Sequence, residues 1–183
     1  MEISEGTVMP SAYPQGWERA ALTRDGMAYR IRPIRADDEA REREFIMGLS
    51  PESRYMRMMY MMAEPSADLV ARFVHVDYRL NMAFSAIAAQ GDDERIVGVA
   101  RYATNDAVEI EFAVVVADAW QRRGVGSALT SLLFDYARAQ GIRALGARIL
   151  HANRRMIEFV RRLGMSLERV PGDATILKAS LEL

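Results

Sequence analysis

The 183-residue sequence predicts an α/β domain built on a mixed, mostly antiparallel sheet flanked by helices, and three observations carry that expectation. Residues 84–89, 95–102 and 109–117 are runs of β-formers joined by short polar turns, which makes a meander. The strand, helix, strand order from 109 to 150 calls for a right-handed crossover and so places one parallel pair in the sheet. Residues 167–170 and 175–181, around Pro171-Gly172-Asp173, read as a closing antiparallel hairpin.

Taken in order, residues 1–26 are rich in Gly, Pro, Ser and charge and read as a loosely structured arm, with Trp17 and Leu22 as anchors onto a domain spanning 27–183. Residues 28–34 alternate as a first strand, with Pro33 marking its end or an edge of the sheet. Asp37 and Asp38 signal a helix over 37–48, and Ser50-Pro51-Glu52 combines an N-cap, a first-turn proline and an acid to start another at 51. That second helix is dense in methionine, from Met56 to Met62. Methionine can line an adaptable pocket, but core filler beneath the sheet is the preferred reading. Residues 66–77 form a further short helix capped by Ser66, with His75 in a structural role.

The informative stretch is Glu109 to Gly126, EIEFAVVVADAWQRRGVG. Phe112 to Val116 read as a strand buried on both faces, preceded by two carboxylates, Glu109 and Glu111, that are costly there without a partner or a task. After the break, Leu129, Leu132, Leu133, Tyr136 and Ala137 recur at helical spacing behind a glycine-bearing first turn. The first amides of such a helix lack intrahelical acceptors and meet the positive end of its dipole, so a phosphate is well held there. Gln140-Gly141 ends the helix, residues 145–150 form the next strand, and Asn153 caps a helix closed by Gly164.

Composition narrows the function. Half of the residues are apolar, which excludes a disordered chain. A net charge of −1 gives no general field for nucleic acid, yet residues 119–169 carry ten arginines against Asp135, Glu158 and Glu168, a balance that suits a polyanionic small ligand. With no cysteine there is no thiolate nucleophile or disulfide, and two histidines are too few for an ordinary zinc site, so no metal is expected. The start lacks a signal-peptide pattern and no run approaches a membrane span, so the expectation is a cytoplasmic protein with no membrane partner.

Two motifs at this separation, Gln121-x-x-Gly124-x-Gly126 and Asn153-x-x-Met156-Ile157-x-Phe159-Val160-x-x-Leu163-Gly164-Met165, resemble those of the GNAT family of acetyl-CoA-dependent N-acetyltransferases. Within it, residues 49–55, LSPESRY, and the strand from Glu111 to Val116 are similar to the acetyltransferase domain of bacterial protein-lysine acetyltransferases. Those proteins often join this domain to an acyl-CoA-synthetase-like or cyclic-nucleotide-binding region, and no such region is expected in these residues.

The resemblance implies a GNAT fold whose sheet splays between two parallel strands, at a bulge, to admit a thioester. It implies that Val114 and Val116 line the acetyl and pantetheine arm. Gln121, Arg122, Arg123, Gly124, Val125, Gly126 and Ser127 would bind the pyrophosphate region, with Asn153 as a further cofactor contact or as a pure N-cap. Glu111 matches the family glutamate that accepts the amine proton, and Glu109 is its rival. Many relatives carry a tyrosine acid seven residues after the asparagine; Val160 stands there, so the acid is unassigned. His151 is a candidate substrate contact, with an ordinary structural role preferred.

The function these residues imply is direct acetyl transfer from acetyl-CoA to an amine, foremost a protein lysine. Acetylation of a small-molecule amine is the second reading. A non-catalytic acetyl-CoA sensor is the third, and it would have no need of Glu111.

Overall fold

A computed structural model of the chain describes residues 12–91, 93–104 and 109–183. Eight strands form one sheet in the order β1-β2-β3-β4-β5-β6-β8-β7. They are β1 (Arg19–Leu22), β2 (Ala28–Pro33), β3 (Asn81–Gln90), β4 (Asp93–Thr104), β5 (Ile110–Val116), β6 (Ala144–Leu150), β7 (Ser166–Val170) and β8 (Asp173–Glu182). Every neighbouring pair is antiparallel except β5 and β6, as the crossover argument requires. Most of the polar turn expected before residue 109, residues 105–108, lies outside the described residues, as do residues 1–11 of the expected arm.

The rest of that arm is more ordered than its composition suggests. β1 pairs with β2 from Arg19↔Ile31 to Leu22↔Ala28. Trp17 packs edge-on against Tyr136 with ring centroids 4.9 Å apart, whereas Leu22 is 67% exposed and anchors nothing. Four residues are too few to show a period of two, and the pairing is supplied by β2 rather than by any pattern within β1.

The helices are α1 (Glu39–Gly48), α2 (Pro51–Met58), α3 (Ala67–Val74), α4 (Val125–Ala139) and α5 (Arg154–Arg162). The expected caps of α2 and α3 form: the Ser50 hydroxyl accepts from the Ser53 amide and the Ser66 hydroxyl from the Leu69 amide. α2 ends at Met59, whose φ of 64° leaves Met59 to Met62 outside the helix. No residue of α2 is fully buried, but Met58 and, beyond the helix, Met62 pack partly against the core on that face of the sheet, so the core-filler reading holds for part of the cluster.

Two cores follow from the two faces of the sheet. Leu129, Leu133 and Ala137 of α4 and Val160 of α5 pack with Phe84 and Phe112 on one face. Gly98 of β4 permits the close approach of α4, since a Cβ there would lie 3.1 Å from Leu129 Cδ1. On the other face Phe45, Ile46 and Val74 from α1 and α3 pack on Ile87 and Val99. Each such side chain contributes roughly 1.5–3 kcal/mol by leaving water.

The feature that positions the site is a separation in the middle of the sheet. β4 and β5 stay in register from Gly98↔Val116 to Thr104↔Ile110, but β5 and β6 are bridged only at Glu111↔Gly146. The splay expected from the resemblance is therefore present, with no register shift along the β4–β5 pairing; it is β6 that diverges. Both faces of β5 carry core contacts, Val114 and Val116 packing partly on one core and Val115 on the other, but with one edge of the strand open only Phe112 is fully buried, less than the expected burial of Phe112 to Val116.

Candidate functional site

The divergence of β5 and β6 opens a cleft of about 1780 Å³ that runs from the turn before α4, along β5, to α2 and α3. Its first half is made of backbone. The Ala117 amide bonds to the Val97 carbonyl of β4. Amide direction alternates along a strand, so the N–H and C=O of Val116 and Val114 point away from β4, into the opening. The Val116 carbonyl accepts from Gln121 Nε2 at 3.1 Å.

At the end of β5 the chain turns through two left-handed residues, Arg122 at φ 61° and Gly124 at φ 95°. The second is the position where glycine avoids the steric cost a Cβ would bring. α4 then begins with no side-chain cap, unlike α2, α3 and α5, each of which has one. Its first amides are therefore left to a ligand or to water. The Val125 side chain is buried in the core, so only its backbone can serve the cleft, while Gly126 and Ser127 line it.

The arginines of this turn divide. Arg122 lines the cleft, but Arg123 turns to Asp25, with Nη1 donating to Oδ2 at 2.9 Å. Arg24 takes its place: its amide donates to the Arg123 carbonyl at 2.9 Å and its side chain lies 3.6 Å from where a Cβ of Gly124 would sit. The sequence reading missed Arg24, because a residue in an assumed loose arm carries no local signal of what it will fold against.

Glu111 lines the cleft at the point where β5 and β6 still touch. Glu109 precedes β5 and accepts from Lys178 Nζ at 2.6 Å, and it is not among the residues lining the cleft. The two carboxylates thus have different settings, one in the cleft and one on an exposed ion pair.

A bracket ties this strand to α2. Asp118 accepts from the Ser50 amide at 2.9 Å, the Ser50 hydroxyl at 2.8 Å and the Ser53 hydroxyl at 2.7 Å. Burial pushes the Asp118 carboxyl up, but these hydrogen bonds outweigh it and hold the group below its ordinary value. Gln121 extends the bracket, donating to Val116 O and Ser53 Oγ and accepting from Arg155. Its side chain therefore shapes the cleft wall through these three bonds.

The far half of the cleft is lined by side chains, including Met56, Met58 and Met59, so part of the methionine cluster does face a pocket. Beneath them Arg101 of β4 and Arg57 of α2 approach one ring, that of Phe73, with guanidinium carbons 4.1 and 5.6 Å from its centroid. Arg101 donates to Glu42 Oε1 at 3.3 Å, whereas Glu42 Oε2 has no partner. Burial raises the Glu42 carboxyl, with Arg101 and Arg57 opposing that shift. Burial and then the Arg101 charge push Arg57 down to about 10.

Three remaining positions are settled by burial and contact. Val160 is fully buried under α5, so no acid stands there, and the described residues lining the cleft include no tyrosine. Asn153 lines the cleft while its side-chain oxygen caps α5, accepting from the Met156 amide at 3.1 Å. His151 is exposed and does not line the cleft. The described residues hold no group of three or more His, Cys, Asp or Glu suited to a metal, and no helix long and apolar enough to cross a membrane.

Comparison with known proteins places these features. A sequence profile of the acetyltransferase (GNAT) family matches residues 53–165. Acetyltransferase PA5475 of Pseudomonas aeruginosa is 37% identical over 152 residues, which cover 82% of each chain. Acetyltransferase Pat of Mycolicibacterium smegmatis is 29% identical over 143 residues, 77% of this chain but only 42% of that protein. The crystal structure of the GNAT domain of S. lividans PAT superposes with a TM-score of 0.84 at 32% identity, covering 93% of this chain and 99% of that one.

Proposed function

The chain belongs to the GNAT family of acetyltransferases, which use acetyl-CoA, and from that premise we propose that it acetylates the side-chain amine of lysine in a protein. The observation that carries the site assignment is the placement of Glu111 in the opening between β5 and β6, beside the outward-facing backbone of Val114 and Val116. The likeness to the S. lividans PAT domain over nearly its whole length supports a protein acceptor.

In this reading the uncapped amides from Arg123 to Ser127, with Arg122 and Arg24 beside them, hold the pyrophosphate of acetyl-CoA. The edge of β5 aligns the pantetheine arm, and the Val114 amide donates to the thioester oxygen as negative charge grows on it. A protonated lysine has no lone pair, so its proton, held with a free pKa near 10.4, must first leave. Glu111 accepts that proton, directly or through a water, and the neutral amine attacks. The new C–N bond forms as the C–S bond breaks, the attacking nitrogen gives its surplus proton to water, and the CoA thiolate departs without an acyl-enzyme. Its pKa, about that of a cysteine, lets it leave without a dedicated acid, which fits a valine at position 160. The reaction takes place in the cytoplasm, where acetyl-CoA and protein lysines meet.

A small-molecule amine is the second reading, favoured by the charged side chains, Arg57 and Arg101, that line the far half of the cleft. Release of free CoA, measured with a panel of lysine-bearing proteins and peptides against amino acids, polyamines and aminoglycosides, separates the two. No release with any acceptor in either panel, despite bound acetyl-CoA, would instead mark a sensor.

A further inference from the structure

The far half of the cleft holds an unusual charge arrangement that the transfer chemistry does not use. Arg57 and Arg101 are stacked about one phenyl ring, and the single carboxylate between their elements, Glu42, is bonded only to Arg101. Among the described residues Arg57 has no hydrogen-bonded partner, and both arginines line the cleft. At the rim, exposed Glu52 and Arg72 cancel in formal charge. Away from Glu111 at the reacting end, the interior therefore carries two cations against one carboxylate, Glu42, that is itself drawn toward neutrality by burial. Guanidinium groups in a desolvated pocket attract a carboxylate through paired N–H donors.

The strand register relates this pair to the reacting end. Ala103 pairs with Glu111 and Arg101 with Ala113, so Arg101 and Glu111 lie on the same face as diagonal neighbours. Such neighbours are about 7–8 Å apart. We propose that Arg57, with Arg101 behind it, is a carboxylate-recognition subsite for the acceptor, which carries an anionic carboxylate a few bonds from the amine that reacts at Glu111. This rests on the transferase reading for its acceptor but not for its anion. The carboxylate belongs either to a small amino acid or to an acidic residue flanking a lysine in a protein, and the chemistry recognised is the same.

Two measurements test the subsite. The first uses glutarate as a probe in titration calorimetry, with acetyl-CoA binding as the sign that each variant is folded. Glutarate binds the native protein and binds Arg57→Gln at least tenfold more weakly; equal affinity for both, or no binding to either, overturns the proposal even if no acceptor is ever turned over. The second compares kcat/KM for matched acceptors: lysine against lysinamide, and a peptide lysine flanked by glutamate against one flanked by glutamine. The carboxylate member of one pair is preferred at least tenfold by the native protein and within twofold by Arg57→Gln. Preference in the amino-acid pair identifies a small acceptor, and preference in the peptide pair identifies acidic protein flanks. Equal use within both pairs, or a preference that survives Arg57→Gln, sinks the idea.

Discussion

The two halves of the cleft are built from different materials. Towards α4 the lining is backbone: the edge of β5, a turn with two left-handed residues, and helix amides without a side-chain cap. Towards α2 and α3 it is side chains, methionines together with Arg57 and Arg101, and buried Glu42 bonds to Arg101 from behind the lining. A ligand handled by backbone tolerates side-chain change, because the donors remain when the side chain is exchanged. A ligand handled by long side chains from separate helices is sensitive to each of them. A constant donor and a selective acceptor are what this division suits.

Glu111 lies where the halves meet, and replacing it gives the largest effect. In Glu111→Gln the oxygen proposed to accept the proton is lost while the shape is kept, so kcat is expected to fall by about 10²–10⁴, the usual contribution of a positioned base. Acetyl-CoA affinity, measured by calorimetry, stays within about twofold because the backbone of β5 and α4 is untouched. Full turnover in this variant removes Glu111 from the mechanism.

The backbone half is probed at Gly124. A Cβ at φ 95° costs roughly 1–2 kcal/mol in the left-handed region. In Gly124→Ala the turn relaxes and the amides of α4 shift, so KM for acetyl-CoA rises about tenfold while KM for the acceptor is little changed. Steady-state kinetics with each substrate varied in turn separates the two. A rise confined to the acceptor would break the division of the cleft.

How far each half was legible follows from the same division. The glycine turn, the strand before it and the capped helix after it are contiguous in sequence, so local pattern was enough to find them and to set Glu111 beside them. The charged set in the acceptor half is contributed by α1, α2 and β4, and Glu42 lies 59 residues from Arg101. No spacing within one element announces that meeting. The methionines from 56 to 62 show the limit of composition: an apolar run of that kind reads as core, yet the cluster divides, Met58 and Met62 packing partly on the core while Met56, Met58 and Met59 border the cleft. β1 and Arg24 were hidden for a third reason, since both depend on pairing with residues that follow them.

The bracket between the halves gives an intermediate effect. Asp118 receives three hydrogen bonds from the start of α2, and asparagine keeps the shape but not the charge. Asp118→Asn lowers stability by about 1 kcal/mol and raises acceptor KM severalfold, with acetyl-CoA KM unchanged. The pH dependence carries the sign. The folded carboxyl lies below its ordinary value, so its stabilisation is present above about pH 4 and is lost as pH falls through the folded value. Denaturant midpoints of wild type and variant therefore differ at pH 6 and converge toward pH 3; a constant gap would mean the charge is not what holds α2.

The smallest effect is expected at Glu109, and it sharpens the assignment of the base most directly. Glu109 and Glu111 are two residues apart and were equal candidates by chemistry, so the difference must come from where each side chain goes. Glu109 pairs with Lys178 at 2.6 Å with side chains 48% and 41% exposed, and it lies off the cleft. An exposed pair of this kind contributes about 0–1 kcal/mol. Glu109→Gln accordingly shifts the denaturant midpoint little and keeps kcat within about twofold, since the proton acceptor in the cleft remains. A hundredfold loss of kcat in this variant, with acetyl-CoA binding intact, would move the base from Glu111 to Glu109 and require Lys178 to release it before each turnover.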